Sequence, residues 1–358
     1  MDVVKEQIRV CLANVYDLQK LRISAGNRIV QSFYIQMGIE PGTSPKESAD
    51  DSKDVAFIKK ILKEYDKVSE AVTEGITVKK ALKNLLEEKN DPIKILKSET
   101  DFWVVDSYHK LIEAENQATK VVEKYVKAHP LWDAFFKDIK GAGPLMAGVC
   151  IAYFDPYKAR HVSSFWKYAG LDTVQDKDKD GNMLYLSADG KQTLKEVVDV
   201  VNDITTTKYV DVETGEEYIG DVVAKKHGRR KGDTEMFEYT NKDGKVEMKR
   251  GITYNPVLKT KLMGVLTGCL IKAKDPTYSA IYYDYKARLE AQGGRTPGKR
   301  NAMAQRYMIK QFIRNLWVCW RKLEGLEVDL PYEVAKLGNK PHKYNAYQCD
   351  NANVTIVD

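Results

Sequence analysis

The sequence predicts a mainly α fold: a helical N-terminal arm of coiled-coil character, then a helical domain with a helix-hairpin-helix, interrupted by a small β-rich insertion. Three observations carry this reading. Apolar residues recur close to every 3.6 positions through residues 1–129 and again from Pro256 onward, the pattern of amphipathic helices. Residues 172–248 instead hold short β-rich runs separated by Asp180-Gly181, Asp189-Gly190, Thr214-Gly215 and Asp243-Gly244, the residue pairs of tight hairpins. Finally, Gly141 and Gly143 sit between two helical segments. At 358 residues, 43% hydrophobic and 30% charged, the chain suits two or three units and is too apolar for global disorder.

In chain order, Val4, Ile8, Leu12, Val15, Leu18 and Leu21, then Ile29, Val30 and Phe33, predict one or two helices over residues 3–37. Met37-Gly38-Ile39-Glu40-Pro41-Gly42 stops them, and a polar linker runs from Thr43 to Lys53. Further helices are expected over 55–74 and 77–89, separated by Gly75, and over 101–128, ended by His129-Pro130. Stripes of this kind pack within a chain, as helix packing or an antiparallel coiled coil, or join copies into a homo-oligomer. A helical domain is expected over 130–171 and 249–325, with breaks at Asp275-Pro276 and from Gly293 to Gly298. The β-rich insertion fills 172–248, and 326–358, rich in Asn, Pro and Tyr, reads as an extended tail.

Composition narrows the function. The five cysteines are far apart and include no Cys-x-x-Cys pair, so neither a zinc module nor a secreted disulfide framework is favoured; a reducing cytoplasm fits. No apolar run approaches the roughly 18 residues of a membrane span, and the N-terminus lacks a signal peptide's apolar stretch, so no membrane partner is expected. The five histidines show no ligand spacing, and no cofactor is expected. Net charge is only +6, but its placement is uneven: Lys249 to Lys322 holds sixteen Lys or Arg against Asp275, Asp284 and Glu290, leaving the rest of the chain at −7. Such a segment suits a polyanion; its alternative is a merely solvated cationic face.

The motif with most chemistry is Ile139-Lys140-Gly141-Ala142-Gly143-Pro144, between two helical segments. Two glycines permit a tight hairpin and close backbone approach, Pro144 suits a first helical turn, and the amides that follow can receive a phosphate without reading sequence. Later blocks are Ser163-Ser164-Phe165-Trp166-Lys167-Tyr168-Ala169-Gly170-Leu171, then Gly251-Ile252-Thr253-Tyr254-Asn255-Pro256, then Asn301-Ala302-Met303-Ala304-Gln305-Arg306. This succession resembles the C-terminal transposase domain of bridge-RNA-guided insertion-sequence transposases and Piv-type DNA invertases, over about a third of the chain. The resemblance implies DNA as partner, with structured RNA as a further one, in the cytoplasm of a bacterial, archaeal or phage-infected cell.

Two departures limit what the resemblance carries. The family's N-terminal domain is RuvC-like with an acidic metal-binding set, whereas residues 1–129 read as helix. The family's catalytic serine lies in a Ser-Gly motif before Gly-Ile-Thr; here the sole serine between Leu171 and Gly251 is Ser187, followed by Ala188. The expectation is therefore a DNA-binding protein without autonomous catalysis. The competing readings are a serine-dependent recombinase using Ser187, which acts with a partner nuclease domain or guide RNA and only then takes a divalent metal, and a non-enzymatic structural or viral interaction protein. The expected nucleic-acid contacts are Lys140, Gly141, Gly143, Lys167, Arg250, Lys259, Lys261, Arg295, Lys299, Arg300, Arg306, Lys310 and Arg314, the last three forming a basic face on the Ala-rich helix.

Smaller signals have plain readings. Asp176-Lys177-Asp178-Lys179-Asp180-Gly181-Asn182 opens like a calcium loop but has Ser187 where a bidentate Glu is needed, so a turn is favoured. Lys225-Lys226-His227-Gly228-Arg229-Arg230-Lys231 is either a nucleic-acid contact or a solvated loop. Tyr307, Trp317 and Trp320 are expected to pack the C-terminal helix.

Overall fold

The computed structural model describes residues 3–38, 51–88, 94–201, 204–230 and 232–328. Ten α-helices and only small sheets are found among them, so the mainly α class with a β-rich insertion holds. The expected linker, apart from its last residues, and the tail beyond 328 lie outside the described residues. The chain divides into two compact units, residues 1–129 with 147–152 and residues 130–146 with 153–358.

The first unit contains α1 (Val3–Gln36), α2 (Asp51–Thr73), α3 (Val78–Glu87) and α4 (Glu99–Ala128). Much of its apolar stripes packs within the chain, while Val4, Leu21, Leu86 and Val104 stay exposed. Ile8, Leu12 and Val15 of α1 and Val122 and Val126 of α4 are buried, while Ile29, Phe33, Ile61, Tyr65, Leu82, Leu85, Phe102 and Tyr108 share one cluster. Ser98 starts α4 with a reciprocal capping box to Asp101, an arrangement worth about 1 kcal/mol. Arg22 pairs with Glu115 and ties α1 to α4. The middle of α5 (Pro144–Tyr153) joins this unit through Gly148: a Cβ there would stand 3.0 Å from a Val126 methyl and 3.4 Å from one of Leu12, so the missing side chain permits the contact.

The second unit is built around its last helix. A π-helical turn, Trp132–Phe136, precedes the glycine hairpin, and α6 (Val162–Tyr168) follows α5. Then α7 (Pro256–Thr260) passes through a π-helical stretch, Lys261–Leu266, into α8 (Thr267–Lys272). The predicted break at Asp275-Pro276 precedes α9 (Tyr278–Gln292), and the one from Gly293 separates it from α10 (Pro297–Leu323), which starts inside the expected break. The Phe312 ring of α10 meets Phe135, Phe136 and Tyr278 at 5.4, 6.2 and 5.2 Å between centroids. Trp317 and Trp320 are buried, with Trp317 Nε1 donating to the Ala159 carbonyl at 2.8 Å, and Tyr307 stacks on Tyr285 at 4.2 Å.

The insertion has three small antiparallel sheets. One pairs β1 (Thr173–Gln175) with β7 (Lys226–Gly228). The largest contains β2 (Leu184–Ser187), β3 (Thr193–Val201), β4 (Ile204–Asp211), β5 (Glu217–Tyr218) and β6 (Val222–Ala224) in the order β5-β4-β3-β2-β6. The third is the hairpin of β8 (Glu235–Thr240) and β9 (Val246–Gly251). The insertion thus runs past its expected limit at 248, because strand pairing continues to Gly251. The calcium-like segment is a turn: Asp178 Oδ1 accepts the amides of Asp180 and Asn182 at 2.9 and 2.8 Å. The chain leaves the helical part at Tyr168 and returns at Asn255, whose amide donates to the Tyr168 carbonyl at 2.8 Å.

Candidate nucleic-acid interface

The glycine hairpin is fixed by packing at one glycine and open at the other. Gly141 has φ +94°, and a Cβ there would lie 2.5 Å from the Cys269 carbonyl oxygen, so the backbone rests directly on α8. Gly143 has open space around the same position and needs no glycine for packing. Asp275, 3% exposed, holds the hairpin to the turn between α8 and α9. Its Oδ2 accepts the Lys140 amide at 3.0 Å, and its Oδ1 accepts those of Thr277 and Tyr278 at 3.0 and 2.8 Å. Lys140 is thereby brought beside the turn carrying Lys272 and Lys274, all three exposed. Lys272 and Lys274 lie in the basic segment but outside the expected contacts, because their proximity to Gly141 depends on the bond between Lys140 and Asp275, to which no local spacing points.

The Ala-rich helix differs from expectation. Arg306, Lys310 and Arg314 do not form one solvent-facing basic face: Arg314 is buried, and Arg306 and Lys310 are half-buried against neighbouring groups of the chain. Arg314 is 5% exposed and donates to Gln311 Oε1 at 3.1 Å. Arg306 donates to the Asp172 and Gly170 carbonyls at 2.8 and 3.4 Å, and burial lowers its pKa. Lys310 Nζ lies 4.1 Å from the Trp166 ring centroid. Lys259 is also turned inward: its Nζ donates to the Arg229 carbonyl at 2.8 Å and sits 4.8 Å from the Tyr254 ring. Burial, then the nearby Arg306 and Arg229, lowers its pKa, and burial does the same to Lys261.

The remaining predicted cations are spread out. Lys299 is exposed in the first turn of α10, while Arg300 donates to the Arg295 carbonyl at 2.7 Å and pairs with Glu290 at 3.2 Å. Arg295 donates to Gln292 Oε1 at 3.3 Å. Arg250 is exposed on β9, and Lys167 pairs with Glu235 at 3.5 Å.

The short basic run of the insertion is neither a solvated loop nor a free contact at its centre. Arg229, 3% exposed, meets both Asp172 oxygens at 2.8 and 2.7 Å and Glu235 at 2.5 Å. The bond to Asp172 outweighs the opposing effect of burial and raises the Arg229 pKa; the bond from Arg229 lowers that of Glu235. Thr253 donates to Glu235 at 3.0 Å. Blocks far apart in sequence, Gly170 to Asp172, Gly228 to Arg229, Thr253 to Lys259, and Arg306, therefore meet at one ionic junction. Lys231 lies outside the described residues.

Ser187 closes a turn. It is 2% exposed, donates to Asp189 Oδ1 at 2.6 Å and accepts the Gln192 amide at 3.0 Å. The Ser187 bond and the Lys191 amide hold the Asp189 carboxyl below its usual range, which makes it a weak base for activating an alcohol. Among the described residues no group of three His, Cys, Asp or Glu side chains is placed to hold a metal ion, and no helix is long and apolar enough to cross a membrane. Comparison of the chain with protein-family models, curated proteins and solved structures finds no match.

Proposed function

We propose that the chain binds the backbone of DNA, without reading base sequence and without autonomous catalysis, through the hairpin at Gly141 to Gly143 and the lysines at 140, 272 and 274. One observation carries this reading: the bond between Lys140 and Asp275 places a hairpin with an exposed lysine, and an open Gly143, beside the segment bearing the exposed Lys272 and Lys274. Asp275, the acid that joins the two segments, is occupied by three backbone amides. The likeness of the sequence blocks to transposase domains supports DNA over other polyanions. Strand transfer at Ser187 has no part here, since its oxygen is buried and committed to its turn.

The test is a salt titration of binding to duplex DNA. Lys140→Ala, Lys272→Ala and Lys274→Ala combined should lower the slope of log affinity against log salt by about 2.7, at about 0.9 per phosphate contact. An unchanged slope, or no binding at low salt, overturns the proposal. Stronger binding to a structured RNA of equal length would replace DNA as the ligand.

A further inference from the structure

The β8–β9 hairpin is a two-stranded ribbon with six paired positions, from Glu235 opposite Gly251 to Thr240 opposite Val246. Among the described residues neither outer edge pairs with another strand. A two-stranded ribbon alone is marginal in water, and its open edge is a template for a further strand. Met236, Met248 and Val246 lie on one face and are 50%, 59% and 65% exposed. Alternation puts Glu247 and Lys249 on the other face with Phe237 and Tyr239; Lys249 Nζ stands 5.0 Å from the Tyr239 ring centroid.

The sequence of β9, Val246-Glu247-Met248-Lys249-Arg250, complements itself in one antiparallel register. With Met248 opposite its own counterpart, Glu247 of each copy faces Lys249 of the other, and Val246 faces Arg250. Opposite charges directly across a pair of strands attract, and like charges there repel. The β8 edge has two acids, Glu235 and Glu238, and no cation, so pairing with its own copy gains no ion pair. A slip of two residues, the step that keeps the outward-facing groups of both strands matched, would set Lys249 against Lys249 or Glu247 against Glu247, so the charges also specify the register.

We propose that β9 is a self-association edge, through which two copies of this chain join antiparallel about Met248 into a four-stranded sheet β8-β9-β9-β8. The joined sheet sets the exposed Met248 side chains of the two copies opposite each other on one face and satisfies the outward-facing backbone groups of β9. The proposal stands apart from the nucleic-acid reading.

Sedimentation equilibrium of the full chain, without nucleic acid, tests it. A concentration-dependent dimer is expected, and Glu247→Lys or Lys249→Glu should each weaken it about tenfold, since two symmetric pairs turn repulsive together. The double reversal should restore it. Met248→Cys should form a disulfide-linked dimer on mild oxidation that the parent chain does not form. Far-UV circular dichroism confirms that each variant is folded; Lys249→Ala gives a milder weakening should either reversal unfold the ribbon. A monomer at all concentrations, a dimer indifferent to the single reversals, or failure of the double reversal to restore it overturns the proposal.

Discussion

The cations of α10 belong to the same basic stretch of sequence as Lys272 and Lys274, which stand beside the glycine hairpin, yet the two sets are used in opposite ways. Arg314 is buried and Arg306 half-buried, and both spend donors on carbonyl and amide oxygens of the chain. Lys140, Lys272 and Lys274 stay exposed beside Gly143, where they can exchange a counterion for a phosphate. Burial strips water from a cation and demands an internal partner, so an enclosed one acts on folding while an exposed one acts on binding. A local excess of thirteen positive charges therefore overstates the cationic surface of this segment.

The sharpest way to break that contrast is to remove a buried cation. Arg229→Met should cost about 3–5 kcal/mol, because Asp172 and Glu235 lose their common partner; urea unfolding that showed less than about 1 kcal/mol would remove the junction from the account. Next come the two glycines. Gly141→Ala should cost about 2–4 kcal/mol, from a Cβ pressed on a carbonyl at positive φ, whereas Gly143→Ala should stay within about 0.5 kcal/mol in the same assay. Third, Arg306→Ala should lose about 1–3 kcal/mol while leaving the salt slope of DNA binding unchanged, the inverse of the three lysine substitutions. If Arg306→Ala lowers the slope instead, the division between inner and outer cations fails.

The smallest effect is one of pH. Asp189, held down by Ser187, and Asp211, held down by the Thr214 and Glu213 amides, are carboxyls whose folded pKa lies below the ordinary range, as is Glu235 through Arg229. Their contribution is complete above the unfolded values near about 4 and is lost as pH falls through the lower folded values. Urea midpoints followed from pH 6 downward should fall below about pH 4; a flat profile would detach these groups from stability.

Helix boundaries were legible because apolar spacing and breakers such as Gly75, Pro276 and Gly293 act locally. The two π-helical stretches were not, since one extra residue per turn leaves the apolar pattern looking helical. The basic face of α10 misled for a physical reason: Met308, Ile309, Phe312, Ile313 and Leu316 enclose the helix on more than one side, so charge spacing alone could not tell which side meets water. Arg229 was hidden in a run of cations, because its acids, Asp172 and Glu235, come from separate strand boundaries. Gly141 and Gly143 were legible as a hairpin, but only the folded contacts divide their labour.

The hydrogen bond from the Asn255 amide to the Tyr168 carbonyl joins residues 87 positions apart along the chain. It makes the β-rich segment a graft with a narrow neck: its two ends emerge side by side, so its length is nearly independent of the helices that bear it. A short bridge across that neck could replace the strands, provided Lys259 and Arg306, which reach into the graft, are exchanged for uncharged residues in the same step. The helical part would then be free to carry a different module at the same place.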